Sequence, residues 1–308
     1  MKKANPKPAL SYDRKNFWKE APAAEQKAAM DYAIPYKKFL DECKTEREAV
    51  IWIEKLLKKH KFVSIDSKKG SKRVYRVFRG KTMAVAILGS EPLNQGFNMV
   101  ASHIDSPRVD LKQNPLYEDG PSQMACMRTH YYGGIKKYQW VSTPLSLHGV
   151  IVKNDGSMLH ISIGENDDEP VFIIPDLLPH LASKEQYSKN LKDAIDASKL
   201  NLVFSGIIEA GAEEKEAAKA YALKVLNAKY GITEADFLSA ELQLVPAVKT
   251  RDAGIDSSMV VGYGQDDRVC AYTALTALLD NMEINPKRTM IVYFSDKEEV
   301  GSQGATGA

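Results

Sequence analysis

The chain has 308 residues, of which 44% are hydrophobic and 27% charged, an ordinary composition for a globular protein. This length predicts two domains, each large enough for its own core, and the composition excludes collagen, low-complexity disorder and a disulfide-framed small protein. The 42 basic and 40 acidic residues nearly balance, which argues against a nucleic-acid-binding or membrane-surface protein.

Cysteine usage and hydropathy indicate a cellular compartment. Cys43, Cys126 and Cys270 are scattered and form no CxxC pair, which favours a reducing compartment over a disulfide framework or a thiolate zinc site. The first 20 residues lack the apolar core of a signal peptide, and no stretch approaches the roughly 18 apolar residues of a membrane span. We therefore expect a cytoplasmic protein.

The first third of the chain predicts helices followed by strands. Helical spacing dominates from Ala23 to about His60, with a break expected at Pro35. Thr45 and Glu48 have the spacing of a capping box. Three short strands follow, bounded by glycine and proline: Val74–Phe78, Met83–Leu88 and Phe97–Ser102.

The region from about 108 to 248 is rich in predicted strands, and its residue pattern differs from that of the first third of the chain. Leu145–Lys153 and Met158–Ile163 predict paired strands around a turn, and a helix is expected from about Ala212 to Lys229. This pattern predicts a β-rich insertion.

After the insertion the chain returns to helix-flanked apolar strands. A helix is predicted from Asp266 to Leu279, and Met290–Phe294 is a continuous apolar strand, typical of one buried on both faces of a parallel sheet. We expect an α/β domain formed by segments 1–107, in its N-terminal part, and 249–308, in its second part, interrupted by an inserted domain at 108–248.

The first of three polar clusters is the pair His103 and Asp105, which follows an apolar strand. Two residues apart in an extended chain, these side chains point to the same side. The carboxylate could then orient a metal-bound imidazole by accepting its second N–H. On its own, a His-x-Asp pair is more often incidental.

The other two clusters are pairs of carboxylates. Asp266 and Asp267 open the predicted helix, where an Asp N-cap with an acidic first turn is an alternative explanation. Glu298 and Glu299 follow the apolar strand, where one could ligate a metal while the other acts as general base on water. A solvated loop is the alternative there.

Together the three clusters are more specific than any one of them. Histidine, Asp and Glu gathered at one sheet edge suit a zinc or cobalt site with nitrogen and oxygen ligands. An Asp can bridge two metals held about 3.5–4 Å apart. The glycines Gly301, Gly304 and Gly307 have a spacing that matches neither a dinucleotide-binding fingerprint nor a Walker A loop.

These motifs resemble, in order, those of the aspartyl aminopeptidase and vacuolar aminopeptidase I family of zinc-dependent aminopeptidases. The resemblance covers the chain from about Ala23 onward and implies a zinc-peptidase-like three-layer αβα catalytic domain, incomplete here, interrupted by a β-rich dimerisation domain. The segments that carry it are Ala101–Pro107, Gln265–Arg268 and Phe294–Ser302, with weaker echoes in Tyr132–Gly134 and Ile174–Ala182.

The resemblance assigns metal roles to the first two motifs. It implies that His103 ligates one metal and that Asp105 is the carboxylate that supports this histidine. Asp266 would be the bridging ligand, with Asp267 as the alternative. Two Zn²⁺ per subunit are implied, and Co²⁺ or Mn²⁺ could take their place.

The resemblance also assigns catalytic roles. Glu298 would be the general base that activates water, and Glu299 a ligand of the second metal. His180 would reach a neighbouring subunit's active site and help stabilise the tetrahedral intermediate, and a histidine in a subunit-contact loop is the other interpretation. The implied reaction removes N-terminal residues from peptide substrates, with Asp or Glu suggested by the family name.

The family also implies assembly of dimers into a tetrahedral dodecamer. Its metal site needs an Asp shortly after the Glu-Glu motif and a late His, and this sequence has neither, since its last histidine is His180. We therefore expect a C-terminally incomplete chain that alone binds metal weakly and has little activity. The alternative is a non-catalytic assembly or regulatory protein of the same family that ends near residue 308.

Overall fold

The computed structural model describes residues 10–67, 70–212 and 215–307. The strands in these ranges are β1 (Val63–Ser64), β2 (Arg73–Phe78), β3 (Thr82–Ile87), β4 (Asn98–His103), β5 (Arg108–Asp119), β6 (Met124–Tyr132), β7 (Leu145–Val152), β8 (Met158–Ile163), β9 (Leu202–Ser205), β10 (Ala240–Pro246), β11 (Arg251–Ala253), β12 (Met259–Val261) and β13 (Met290–Ser295). The α-helices are α1 (Phe17–Glu20), α2 (Ala23–Glu42), α3 (Glu46–Lys59), α4 (Pro179–Glu185), α5 (Leu191–Ala194), α6 (Ala217–Tyr230) and α7 (Gln265–Asp280). The predicted α/β class is confirmed.

The first sheet has the strand order β1-β2-β3-β13-β4. Met83 and Val85 of β3 and Phe294 of β13 lie on one face and pack with α2, α3 and α7 in a single apolar core. The described residues thus form this sheet and a helix layer that covers it.

The environment predicted for the strand Met290–Phe294 is wrong in two respects. β13 is parallel to β4 but antiparallel to β3, so the sheet is mixed. Alternate residues of β13, Ile291 and Tyr293, are only half-buried, because the helices of the core pack against the other face. A continuous apolar run does not by itself distinguish these two environments.

The break predicted at Pro35 is also wrong, because α2 runs as one helix with Pro35 inside it. A proline in a helix interior costs about 3 kcal/mol. Directly after it, Tyr36, Phe39 and Leu40 are buried in the core. Full burial of one such apolar side chain contributes about 1.5–3 kcal/mol, so packing of this face outweighs the proline.

The capping box predicted at the start of α3 is confirmed. The Glu48 N–H donates to Thr45 Oγ1 at 3.2 Å, and the Thr45 N–H donates to Glu48 Oε2 at 2.9 Å. These bonds satisfy N–H groups that lack intrahelical partners at a helix start. They fix the end of α3 that faces the second sheet.

The second sheet is antiparallel throughout, with the order β8-β7-β10-β5-β6-β9 and its own apolar core. Helix α6 packs against β5 and β6. It begins at Ala217, five residues after the predicted start, and residues 213–214 of the predicted span lie outside the described residues. No helix in the described ranges is both long and apolar enough to cross a membrane.

Candidate metal centre

The pairing of β4 with β13 brings the first and third motifs together. These strands are parallel, His103 is the register partner of Ser295, and the Ile104 N–H donates to the Ser295 carbonyl at 2.9 Å. Both strands therefore end at the same edge of the sheet. In open α/β sheets, sites form outside the carboxyl ends of the strands, and the motif residues follow here.

His103 is oriented by one neighbour and faces two others. Its Nδ1 lies 3.1 Å from the Asp105 carbonyl oxygen and 3.3 Å from Asp105 Oδ1. Its Nε2 lies 3.3 Å from Asp266 Oδ1 and 3.6 Å from Glu298 Oε2. A partner on one ring nitrogen sets the tautomer and leaves the other nitrogen to act as a ligand.

The charges around His103 favour its protonated form. Burial by itself lowers the pKa of His103, but hydrogen bonds and charge from Asp105, together with the charge of Glu298, raise it to about 9. The ring thus lies in a strongly negative field, which would equally favour a bound cation.

Asp105 ties the first and third motifs together. Its carboxylate is fully buried and accepts hydrogen bonds from the Tyr132 hydroxyl at 2.8 Å, the Glu298 N–H at 3.3 Å and the Glu299 N–H at 3.2 Å. Burial raises the pKa of Asp105, but the hydrogen bonds from His103, Tyr132 and Glu299 outweigh it and hold the pKa below its ordinary value. The ionised carboxylate therefore fixes the position of the Glu-Glu turn.

The Glu-Glu turn presents two carboxylates in different environments. The Glu298 side chain is 55% exposed, whereas Glu299 is half-buried. Burial raises the pKa of Glu299, and the charges of Asp105, Asp266 and Glu298 add to this against the opposing charge of His103. Glu299 thus carries an electrostatic cost that a nearby cation would relieve.

The donor set fits zinc. His103, Glu298 and Glu299 each offer a ligand atom, and these atoms all lie within 4.8 Å of one another. Two ligand atoms at about 2.0–2.1 Å from one tetrahedral zinc lie about 3.3 Å apart. The 3.3 Å between His103 Nε2 and Asp266 Oδ1 matches that separation, and the nitrogen and oxygen donors match zinc chemistry.

Asp266, and not Asp267, faces His103. The backbone is non-helical at both residues, so the regular helical turns begin at Arg268, and the interpretation of this pair as an acidic helix start stays a prediction. Asp267 instead hydrogen-bonds to Cys270, whose pKa it raises. The Asp266 carbonyl accepts a hydrogen bond from Ser106 Oγ at 3.0 Å, which anchors the second motif beside the first.

His180 is not brought to this cluster. It lies in α4 with an exposed side chain, and its carbonyl accepts a hydrogen bond from Ser183 Oγ. Within the described residues no hydrogen bond or ion pair joins it to the motif residues. Its predicted role in a neighbouring subunit stays a prediction.

Sequence reasoning missed the support that the second sheet gives to the cluster. The Arg108 guanidinium stacks 3.8 Å from the centre of the Tyr132 ring, and the Tyr132 hydroxyl binds Asp105. At Gly133 (φ +72°), an added Cβ would lie 3.1 Å from the Glu299 Cβ, so a side chain here would strain the left-handed backbone and crowd Glu299. In the sequence, the only indication of these contacts was the weak family resemblance of Tyr132–Gly134.

Comparisons with known proteins identify relatives over most of the chain. A family model of aminopeptidase I zinc metalloproteases (M18) matches residues 39–308. A probable M18 family aminopeptidase 1 of Clostridium acetobutylicum is 48% identical over 97% of this chain and 64% of its own length. The crystal structure of an M18 family aminopeptidase from Thermotoga maritima is 45% identical, with a TM-score of 0.88 over 97% of this chain and 64% of that one.

A more distant match shares the fold. The structure of an mApe1 dodecamer from S. cerevisiae is 19% identical, with a TM-score of 0.67 over 92% of this chain and 64% of that one. The chain spans about 64% of the length of two curated relatives, the probable M18 family aminopeptidases 1 of Clostridium acetobutylicum and Thermotoga maritima. The family match covers far more than half of the chain, and the chain therefore belongs to the M18 family of aminopeptidase I zinc metalloproteases.

Proposed function

We propose that these residues serve a zinc aminopeptidase that removes the N-terminal residue of peptides. The observation that carries the proposal is the convergence of His103, Asp266, Glu298 and Glu299 at the shared end of β4 and β13. Family membership supports the same reaction class.

The donor set suits a dinuclear site. His103 and Asp266 would hold one zinc, Asp266 would bridge to a second, and Glu299 would hold that second ion. When bound, zinc supplies Lewis acidity, which polarises a scissile carbonyl and lowers the pKa of water. Cobalt or manganese also suits nitrogen and oxygen ligands.

Proton transfer falls to Glu298. Its exposed carboxylate can reach an attacking water, take a proton from it and pass that proton to the leaving amine. Asp105 holds the Glu298 N–H and so positions the base. Asp105 also orients His103, which keeps Nε2 aimed at the cluster.

The experiment separates the base from the ligand. We expect Glu298→Gln to lower turnover of aminoacyl p-nitroanilides by about 10²–10⁴-fold, with the zinc content of the protein unchanged. The neighbouring substitution Glu299→Gln should lower zinc content itself, measured by mass spectrometry of the metal after dialysis. Parallel assays with Leu, Asp and Glu anilides test the acidic preference suggested by the family name.

Two outcomes would contradict this assignment. Equal loss of zinc in both variants would show that Glu298 is a ligand rather than the base. Full zinc content with no hydrolysis by the unsubstituted protein would favour the alternative, a non-catalytic assembly or regulatory protein. The assays include added zinc, because these 308 residues lack the late Asp and His that the resemblance implies.

We further propose self-assembly through the inserted region. Leu178 and Leu181 beside His180 are 69% and 55% exposed, and contiguous exposed apolar surface marks interaction sites. The related yeast protein is described as a dodecamer. Such assembly would carry His180 toward a neighbouring site, and the particle mass in solution tests it. The three free cysteines support the proposed cytoplasmic location.

A further inference from the structure

A cavity of about 460 Å³ opens beside the candidate metal site formed by His103, Asp266, Glu298 and Glu299. It is lined in part by the loop that follows β6. Gly133 of this loop lines the cavity and also contacts Glu299. The preceding residue, Tyr132, binds Asp105. The cavity therefore begins at the edge of the cluster and extends away from it toward α5.

The cavity wall is basic. Lys136, Lys137 and Lys192 line it. Within the described residues, no carboxylate lies within ion-pair distance of any of the three ammonium groups. The charge of Lys137 reaches Asp196, but that carboxylate accepts its hydrogen bonds from the N–H and hydroxyl of Ser198.

The volume of the cavity indicates which part of a peptide substrate it can hold. Pockets of about 300–1,000 Å³ enclose drug-sized ligands, so this cavity holds a segment of about three residues, roughly 10 Å long at about 3.3 Å per residue. An aminopeptidase substrate has one residue before the cleaved bond. A cavity that holds several residues must therefore take the part after that bond.

We propose that this lysine-lined cavity is a subsite for a carboxylate carried by the substrate after the cleaved bond. The carboxylate is the free C-terminus of a short peptide or an acidic side chain in the leaving segment. The inference rests on the proposed aminopeptidase function and adds a substrate class, short or acidic peptides. Three ammonium groups would attract this charge, and the apolar body of Leu191 would contact the peptide.

The test compares peptides that differ only in charge. For Leu-Gly-Gly we expect a KM about five- to tenfold lower than for Leu-Gly-Gly-amide, as one or two partly exposed ion pairs would give. Leu-Asp-Gly-amide separates the two sources: a KM as low as that of Leu-Gly-Gly assigns the site to acidic side chains as well. The double substitution Lys137→Gln/Lys192→Gln should bring the acid-to-amide KM ratio close to one. Lys55→Gln, at an exposed position on α3, is the matched control and should keep the ratio.

A binding measurement makes the test independent of turnover. Calorimetric titration of the Glu298→Gln protein with Leu-Gly-Gly and its amide should show the same preference, and the double substitution should remove it. Hydrolysis with equal KM and equal affinity for acid and amide overturns the subsite and leaves the aminopeptidase intact. No hydrolysis by the zinc-loaded protein, with tighter binding of the acid, keeps the subsite and contradicts the aminopeptidase. No measurable binding of either peptide, together with no hydrolysis by the zinc-loaded protein, overturns both.

Discussion

The candidate metal site and the ionic interface between the two sheets both gather carboxylates, but the charge of those carboxylates is balanced differently in the two places. In the interface, Glu46 is fully buried, Arg108 Nη1 lies 3.1 Å from its Oε2, and Lys81 Nζ lies 3.6 Å from its Oε1. Burial alone raises the pKa of Glu46, but Arg108 and Lys81 reverse this and lower it to about 2. Its charge is neutralised within the chain.

The cluster is not neutralised in this way. Asp105, Asp266, Glu298 and Glu299 surround His103, and the pKa of Glu299 is raised. Carboxylates paired with basic side chains hold the two sheets together, whereas carboxylates left in excess mark the place for a cation. The contrast lies in whether Arg and Lys side chains balance the charge of the carboxylates.

The largest effect is expected from removing one partner in the interface. Arg108→Met leaves Glu46 buried without its nearest cation, and we expect a loss of about 3–5 kcal/mol in the free energy of unfolding. Urea denaturation measures it. Arg76→Met is the control, because its pair with Asp66 is 65% exposed on both sides and should change stability by less than about 0.5 kcal/mol. Equal losses in the free energy of unfolding for the two substitutions would contradict the prediction that the buried ion pair matters more than the exposed one.

A second prediction concerns His148, which is buried between Glu48 Oε1 at 2.8 Å and Glu165 Oε1 at 3.0 Å. Burial lowers the pKa of His148, but hydrogen bonds and charges from both carboxylates raise it from 6.5 to about 9. A raised histidine pKa stabilises the fold fully below about pH 6.5, and this contribution is lost as the pH rises through about 9. It amounts to about 3 kcal/mol.

Stability measured by urea denaturation at pH 6 and pH 9.5 tests this. The difference between the unsubstituted protein and His148→Gln should shrink at the higher pH. The control is His160→Gln, at an exposed position on the neighbouring strand β8, whose difference should stay constant. Glu165 behaves in the opposite sense: its pKa is lowered from 4.5 to about 2, so its contribution is complete above about pH 4.5 and is lost as the pH falls from there through about 2. A pH-independent His148→Gln effect would contradict the prediction.

The smallest effect is expected where the two regions meet. Tyr132→Phe removes one hydrogen bond to Asp105 but keeps the ring on which Arg108 stacks. We expect about 1 kcal/mol less stability and zinc affinity several-fold lower, since outer partners of a ligand tune the site. Tyr131→Phe, at an exposed neighbour, should change neither quantity. Unchanged zinc affinity in Tyr132→Phe would show that the interface residues do not influence metal binding.

Most of the cluster could be predicted from sequence, because each motif directly follows an apolar strand or opens a helix. His103 and Glu298 were found this way, and strand ends at one sheet edge then brought them together. The preference for Asp266 over Asp267 depends on a local backbone that departs from helix, and helical spacing alone does not reveal such a departure.

The supporting residues could not be predicted, because their contacts are long-range. Arg108 and Glu46 are 62 positions apart, and Tyr132 is 27 positions from Asp105. No periodicity within one element encodes such pairs. The same reason explains Pro35: local propensity predicted a break, and packing of α2 against distant parts of the core decided otherwise.

The pairing of β4 with β13 has a consequence for the order in which the molecule folds. His103 and Ser295 are register partners, yet the whole inserted sheet lies between them in the chain. Closing so long a loop is entropically costly and raises contact order, which slows folding. We expect the inserted sheet, whose neighbouring strands are mostly closer in sequence, to form before β13 docks on β4. Zinc would then be captured only by a nearly native chain, so metal uptake would report completed folding.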